Sequence, residues 1–207
     1  MKEIIQKYID NNNQEFQRYN SWNHCYVAFG NTKLSKDILA LHLGFYLASW
    51  GMYRGSSGLL QKDYKIHIET VEIIGKYPEL RCSKNNEVDV SCITEIVEII
   101  KHLKEYYESF QYITSKNKSR NITSTDTLIS KILLGTLGCL PAFDRLFIKG
   151  VKKSDQEFKN LKEKSINSLF DYVGIHNEEL KEIQTLYPQY PIMKLIDMYF
   201  WQVGFDL

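Results

Sequence analysis

Helix packed on helix is the architecture this sequence predicts: an all-α, single compact domain over residues 1–207 with about eight to ten helices. Three observations point there. Apolar residues recur at steps of three and four, no stretch alternates convincingly with period two, and no internal repeat or low-complexity tract divides the chain. Of its 207 residues 43% are apolar and 25% charged, with a net charge of +1. That is enough for one sizeable core, and too balanced for a protein that coats nucleic acid or membrane by bulk electrostatics. A local basic cleft is compatible with it.

The opening MKEIIQKYID carries acids where a secretory signal would have a long apolar stretch. Cys25, Cys82, Cys92 and Cys139 form neither a CxxC pair nor a zinc-like spacing. A cytoplasmic protein with reduced thiols is expected. The run ILALHLGFYLASWGMY, Ile38 to Tyr53, falls short of the roughly 20 residues of a membrane span. His42 and Ser49 interrupt it, and it predicts a buried core helix with His42 as a core histidine. In QKDYKIHIETVEIIGKY, Tyr64, Ile68, Val71 and Ile74 continue a stripe begun by Leu60, and Gly75 and Pro78 stop the helix.

Next, ITEIVEIIKHLKEYYESFQYI aligns Ile93, Ile96, Val97, Ile100, Leu103, Tyr107 and Phe110, with charges mostly opposite. The polar TSKNKSRNITST, Thr114 to Thr125, is a solvated loop or, through Lys116, Lys118 and Arg120, a phosphate-contacting one. TDTLISKILL follows a Ser124/Thr125 cap. SDQEFKNLKEKSINSLFDYV aligns Phe158, Leu161, Ser165, Leu169 and Val173, and Asn177 caps NEELKEIQTLY.

Three stretches hold residues suited to chemistry. In SWGMYRGSSGLLQ, Trp50, Met52, Tyr53 and Arg54 precede Gly55 and Gly58 around Ser56 and Ser57. Planar groups thus border a loop whose backbone can approach an anion, or a core helix simply ends at a glycine turn. In LLGTLGCLPAFDRLFIKGVKK a helix ends among Gly135 and Gly138, Pro141 lies in a short turn, and a second helix carries Asp144, Arg145, Lys149, Lys152 and Lys153. Such a turn can aim unpaired amides at a phosphate, or join an ordinary helical hairpin with a solvated basic exit. Finally, PIMKLIDMYFWQVGFDL sets Asp197 among Met198, Tyr199, Phe200 and Trp201, surroundings that penalise a charge. A helix break near Ile196 makes Asp197 an N-cap, and an unbroken helix pairs it with Lys194. A cleft bounded by Tyr199, Trp201 or Gln202 makes it a catalytic carboxylate.

TLGCLPAFDRLF and LIDMYFWQVG together resemble the helix-hairpin-helix superfamily of DNA glycosylases. In that family a hairpin of the form L-P-G-V-G binds a DNA phosphate, and a later aspartate begins a helix and assists cleavage of the base–sugar bond. The resemblance covers the C-terminal third. It makes Asp197 the catalytic aspartate and Gly138 the first hairpin glycine, with Leu140 where the second would stand. Ala142 occupies the position of the Schiff-base lysine of bifunctional members, which implies a monofunctional enzyme leaving an abasic site. The long interval to Asp197 implies an insertion such as KSDQEFKNLKEKSINSLFDYV. LASWGMYRGSS and DMYFWQ also resemble a widespread bacterial family, to which an anti-phage glycosylase acting on glucosylated hydroxymethylcytosine would be a relative.

The resemblance therefore implies excision of a modified base from phage or damaged DNA, with no cofactor, no metal and no membrane. A flipped base would stack in a pocket of Trp50, Tyr53, Tyr199, Trp201 and Gln202, while Arg54, Gly138, Arg145, Lys149 and Lys152 hold the DNA.

Two other classes compete. RYNSWNH sets Arg18 and His24 in the R-x(4–6)-H pattern of helical toxin-type RNases, where Arg holds the phosphate and His moves the proton. A non-enzymatic helical binding module would use the aromatics as core. The five histidines show no H-x-x-x-H or H-E-x-x-H pattern, which disfavours metal catalysis, and Cys139 is the one thiol beside a turn.

Overall fold

Ten α-helices and one short hairpin make up the computed structural model, which describes residues 1–12, 14–54 and 57–207. The helices are α1 (Lys2–Asn12), α2 (Asn20–Phe29), α3 (Lys36–Ser49), α4 (Ile68–Ile74), α5 (Ile93–Glu108), α6 (Asp126–Thr136), α7 (Arg145–Lys153), α8 (Glu163–Ile175), α9 (Asn177–Leu186) and α10 (Ile192–Phe205). Between α5 and α6, β1 (Gln111–Ile113) pairs antiparallel with β2 (Ser119–Asn121), Tyr112 opposite Arg120. One continuous core runs from Ile5 to Trp201. Among the described residues no helix is long and apolar enough to cross a membrane.

Side-chain caps set several helix starts. Ser35 accepts from Ile38 N at α3, Thr125 from Leu128 N at α6, and Asp144 from Leu146 N and Phe147 N at α7. Two helices occupy the centre. Every residue of α6 from Leu128 to Thr136 is buried, as is α10 from Ile192 to Met198. Against α10 lies α7, and glycine makes that contact possible: a Cβ on Gly150 would stand 1.9 Å from Phe200 O, and one on Gly204 1.9 Å from Leu146 O. The two backbones touch.

Where local pattern and structure differ, the cause is visible. The helix expected to reach Ile113 ends at Glu108, because the following residues pair as a hairpin turned at Asn117 (φ +55°). Gln61 holds that hairpin by accepting from Ile113 N and donating to Ile113 O. The 154–173 segment is helical only from Glu163, since α7 is ended by Asp155 at φ +54° and Phe158 turns in among Phe147, Tyr172 and Phe200. Leu59 is buried rather than Leu60, and α4 is one short piece of the expected helix. Asn177 is the first residue of α9, not its cap. Nor is the core histidine His42, which is half-buried; it is His67.

Candidate functional site

Two lysines are buried in the interior, each against an aspartate. Lys131 Nζ lies 3.0 Å from Asp144 Oδ2, with side-chain exposures of 4% and 17%. Lys194 Nζ lies 2.8 Å from Asp197 Oδ2, at 4% and 7%. Removing two such pairs from water is expensive, so their presence calls for a reason other than stability.

The turn between α6 and α7 brings the pairs together. Gly138 takes φ +70° and is wedged between Tyr26 and Pro191, where a Cβ would come within 2.9 Å of each. Four residues on, Ala142 N donates to Asp197 Oδ1 at 3.0 Å, and Phe143 N donates to Ser130 Oγ at 2.8 Å. Thr127 Oγ1 donates to Phe143 O at 2.9 Å. Asp144 then starts α7, its Oδ1 accepting from Leu146 N and Phe147 N at 3.0 and 3.1 Å while Oδ2 meets Lys131. Tyr8 and Tyr46 have hydroxyls pushed up by burial and by the negative charges of both Asp197 and Asp144.

Aromatic rings cover the cations. Lys131 Nζ stands 4.6 Å from the Trp50 ring centre, and the Arg18 guanidinium 5.2 Å from the same ring. Lys194 Nζ is 5.2 Å from the Trp22 ring and 5.5 Å from Tyr8. Tyr19 joins the two halves, edge-on to Trp50 at 5.2 Å and to Trp201 at 5.9 Å. Such contacts offset part of the desolvation of an ammonium. Trp50 Nε1 is buried with no hydrogen-bond partner among the described residues.

Open space differs between the pairs. A cavity of about 320 Å³ lies against the start of α6, lined by Gly51, Met52, Arg54, Ser57, Thr123 and Thr127 among others. Thr127 is one turn before Lys131 on the same face of α6, and Gly51 and Met52 directly follow Trp50. Lys194 instead lines a cleft of about 20 Å³ with Tyr8, Tyr19 and Trp22, room for a single water.

The candidates named from sequence separate accordingly. Asp197 does sit at the GCLPAFDR turn, but α10 is unbroken through it, so it is no N-cap and pairs with Lys194. Trp50 and Trp201 join the aromatic cluster and Arg54 lines the larger cavity. Tyr53 turns away, its hydroxyl 2.7 Å from His67 Nε2, and His67 Nδ1 meets Tyr107 Oη at 2.6 Å. Burial lowers the His67 pKa to about 3 and keeps it neutral. Tyr199 projects from another face of α10 than Asp197, packed on Phe200 and raised by burial and Glu179. Gln202 is buried, donating to Asp206 Oδ1 at 2.8 Å, with its Oε1 unpaired among the described residues.

Gly138 is enclosed, and the neighbouring amides of Ala142 and Phe143 are bound internally, so the turn does not present them to a phosphate. Arg145, Lys149 and Lys152 are exposed on α7 at helical spacing. Gly55 and Ser56 of the glycine loop lie outside the described residues. Arg18 lies on the Tyr19 and Trp50 rings while His24 is exposed on α2; no hydrogen bond joins them among the described residues. Cys139 is fully buried, its thiol pushed up to about 12 by desolvation. Among the described residues no three His, Cys, Asp or Glu side chains group as metal ligands.

Sequence reasoning passed over Lys131, Asp144 as a partner, and Lys194 as part of a site. One signal was present: in ISKILLG the lysine is the one charged residue among side chains that are otherwise apolar but for Ser130. Comparison with protein-family models, curated proteins and solved structures gives no match.

Proposed function

We propose that this chain is a DNA glycosylase in which Lys131 and Asp144 form the reacting pair and Asp197 positions the turn that carries Asp144. The observation that carries the reading is the buried Lys131–Asp144 contact, capped by Trp50, with a cavity lined by Thr127 one helical turn before the lysine. Asp144 meets the description of an aspartate that begins a helix, which Asp197 in mid-helix does not.

The chemistry follows from these groups. As the bond from C1′ to the base breaks, its electron pair leaves with the base and positive charge develops on the sugar. The Asp144 carboxylate stabilises that charge. Lys131 gives one proton to the departing base, and the lone pair so freed forms a C1′–Nζ bond. Atoms and charge balance: an ammonium and a nucleoside become a sugar-bound ammonium and a neutral base. The sugar ring then opens as the C1′–O4′ bond breaks and one Nζ proton passes to O4′, leaving a protonated imine. In this reading the lysine lies before the hairpin turn rather than at Ala142, and the enzyme has a covalent route. Trp50 and the wall of Met52, Arg54 and Thr127 receive the base, and Arg145, Lys149 and Lys152 lie outward for the phosphates.

A second reading, a non-enzymatic helical binding module, is favoured by the internal pairing of both lysines. One experiment separates them. Base release is followed by mass spectrometry from unmodified DNA and from phage DNA carrying glucosylated hydroxymethylcytosine, with borohydride present to trap an imine. Release by wild type, lost in Asp144→Asn, with a trapped adduct absent from Lys131→Met, is the expected result. Release undiminished in both variants would remove the proposal, and absence of release from a panel of damaged and phage DNAs would favour the module.

A further inference from the structure

A cavity of about 310 Å³ shares no lining residue with the one near the start of α6 and has no part in the chemistry above. Its walls come from the 87–90 segment, the last turns of α8, the start of α9 and the first turn of α10. Val88, Phe170, Ile192 and Met193, all buried, make its floor apolar. On the α8 side Gly174 leaves the wall bare: a glycine weakens a helix, and a Cβ there would meet no atom within 4 Å, so packing does not require one.

One half-buried carboxylate, Glu87, lines this space. Its Oε1 accepts from Gln184 Nε2 at 2.6 Å and from Ile192 N, at the start of α10, at 3.1 Å. These bonds orient the group, and the amide end of α10 offsets only part of its charge. Among the described residues no ion pair reaches Glu87, and burial pushes its pKa up. At the rim Asp89 and Lys181, both exposed, carry opposite charges. The interior therefore presents one negative group above an apolar floor. A carboxylate so placed, without a cation of its own, fits a ligand that is apolar along its body and positive at one end.

We propose that this cavity binds a small organic ammonium, a compact apolar body of about ten non-hydrogen atoms at ~30 Å³ for each water-sized group, with its NH3⁺ at Glu87. The inference stands apart from the glycosylase reading. An ammonium there donates a charge-assisted hydrogen bond to the carboxylate while the body displaces water from the floor.

Isothermal titration calorimetry of the full chain at neutral pH tests this with phenethylamine, its neutral analogue 2-phenylethanol and the anion phenylacetate. Phenethylamine is expected to bind with a Kd of about 1 mM or tighter, and roughly tenfold or more tighter than either analogue. Glu87→Gln keeps an acceptor for Gln184 and Ile192 N but not the charge, and should bring phenethylamine down to the affinity of 2-phenylethanol. Gly174→Leu places a side chain at the bare wall and should weaken both by roughly tenfold, while leaving α8 at least as stable in urea unfolding. No binding of phenethylamine at about 10 mM, equal affinity for the three probes, or a preference for the amine that survives Glu87→Gln overturns the proposal. Undiminished binding in Gly174→Leu overturns it too, because the amine then sits elsewhere. Were Glu87→Gln to unfold, the wild-type ranking of the probes and Gly174→Leu still decide.

Discussion

The two buried lysine–aspartate pairs have the same chemistry and nearly the same separation, yet their surroundings differ. Lys194 and Asp197 are one turn apart on α10, and the carboxylate also holds Ala142 N beside a cleft the size of one water. Lys131 and Asp144 come from different helices, the carboxylate caps α7, and a cavity of about 320 Å³ lies within a helical turn of the lysine. The first arrangement anchors a turn; the second joins two helices, one turn along α6 from a cavity that Thr127 lines. A buried ion pair is therefore not by itself a site. The exposure of the carboxylate, 17% at Asp144 against 7% at Asp197, and the second bond it makes distinguish them.

Breaking the inner pair should have the largest effect. Asp197→Ala leaves Lys194 and the Ala142 amide buried without a partner and should cost about 3–5 kcal/mol in urea unfolding. A loss under about 1 kcal/mol would make the two pairs equivalent. Gly204→Ala, which separates α7 from α10 and so disturbs both pairs, should cost about 3 kcal/mol and lower base release as well. Asp144→Asn keeps a helix cap but not the charge opposite Lys131. It should cost about 1–2 kcal/mol while reducing base release by about a hundredfold or more, the reverse of the balance expected at Asp197.

A pH scan sharpens the comparison once its background is known. His67 has a pKa of about 3 in the folded chain, below the ordinary 6.5, so between these values the unfolded chain binds more protons. Stability should then be fully present above pH 6.5 and fall by about 1.4 kcal/mol per pH unit on acidification towards pH 3. His67→Gln should flatten that slope, and an unchanged slope would refute the assignment. Lys149→Gln, on the exposed face of α7, should have the smallest effect: within about 0.5 kcal/mol in stability, with DNA affinity lowered uniformly across sequences and a shallower salt slope.

Much of this was legible along the chain. The stripe from Ile93 to Tyr107 and the Thr125 cap follow from contacts within one helical turn, which sequence encodes directly. The hairpin at 111–121 was not, because three-residue strands carry almost no period, and Gln61 and Gly58, distant in sequence, hold it in place. The site was partly legible. Asp197 and the GCLPAFDR turn do meet, and Trp50 and Arg54 are near it. Tyr53 and Tyr199 turned elsewhere because side-chain direction depends on packing: Tyr53 is drawn to His67, and Tyr199 sits two positions from Asp197, about half a turn round α10.

By itself, then, the sequence determined an all-helical chain with a single core, several helix starts, and the stretches worth inspecting, since periodicity and caps act over three or four residues. Tertiary structure decided which aspartate meets which lysine, that Gly138 faces Tyr26 and Pro191 rather than a phosphate, and that one pair joins two helices while the other lies within one. Those outcomes depend on how closely helices approach, as at Gly150 and Gly204, and on long-range bonds such as Ala142 to Asp197 across 55 residues. No local pattern carries that information, because burial and pairing are properties of the packed whole.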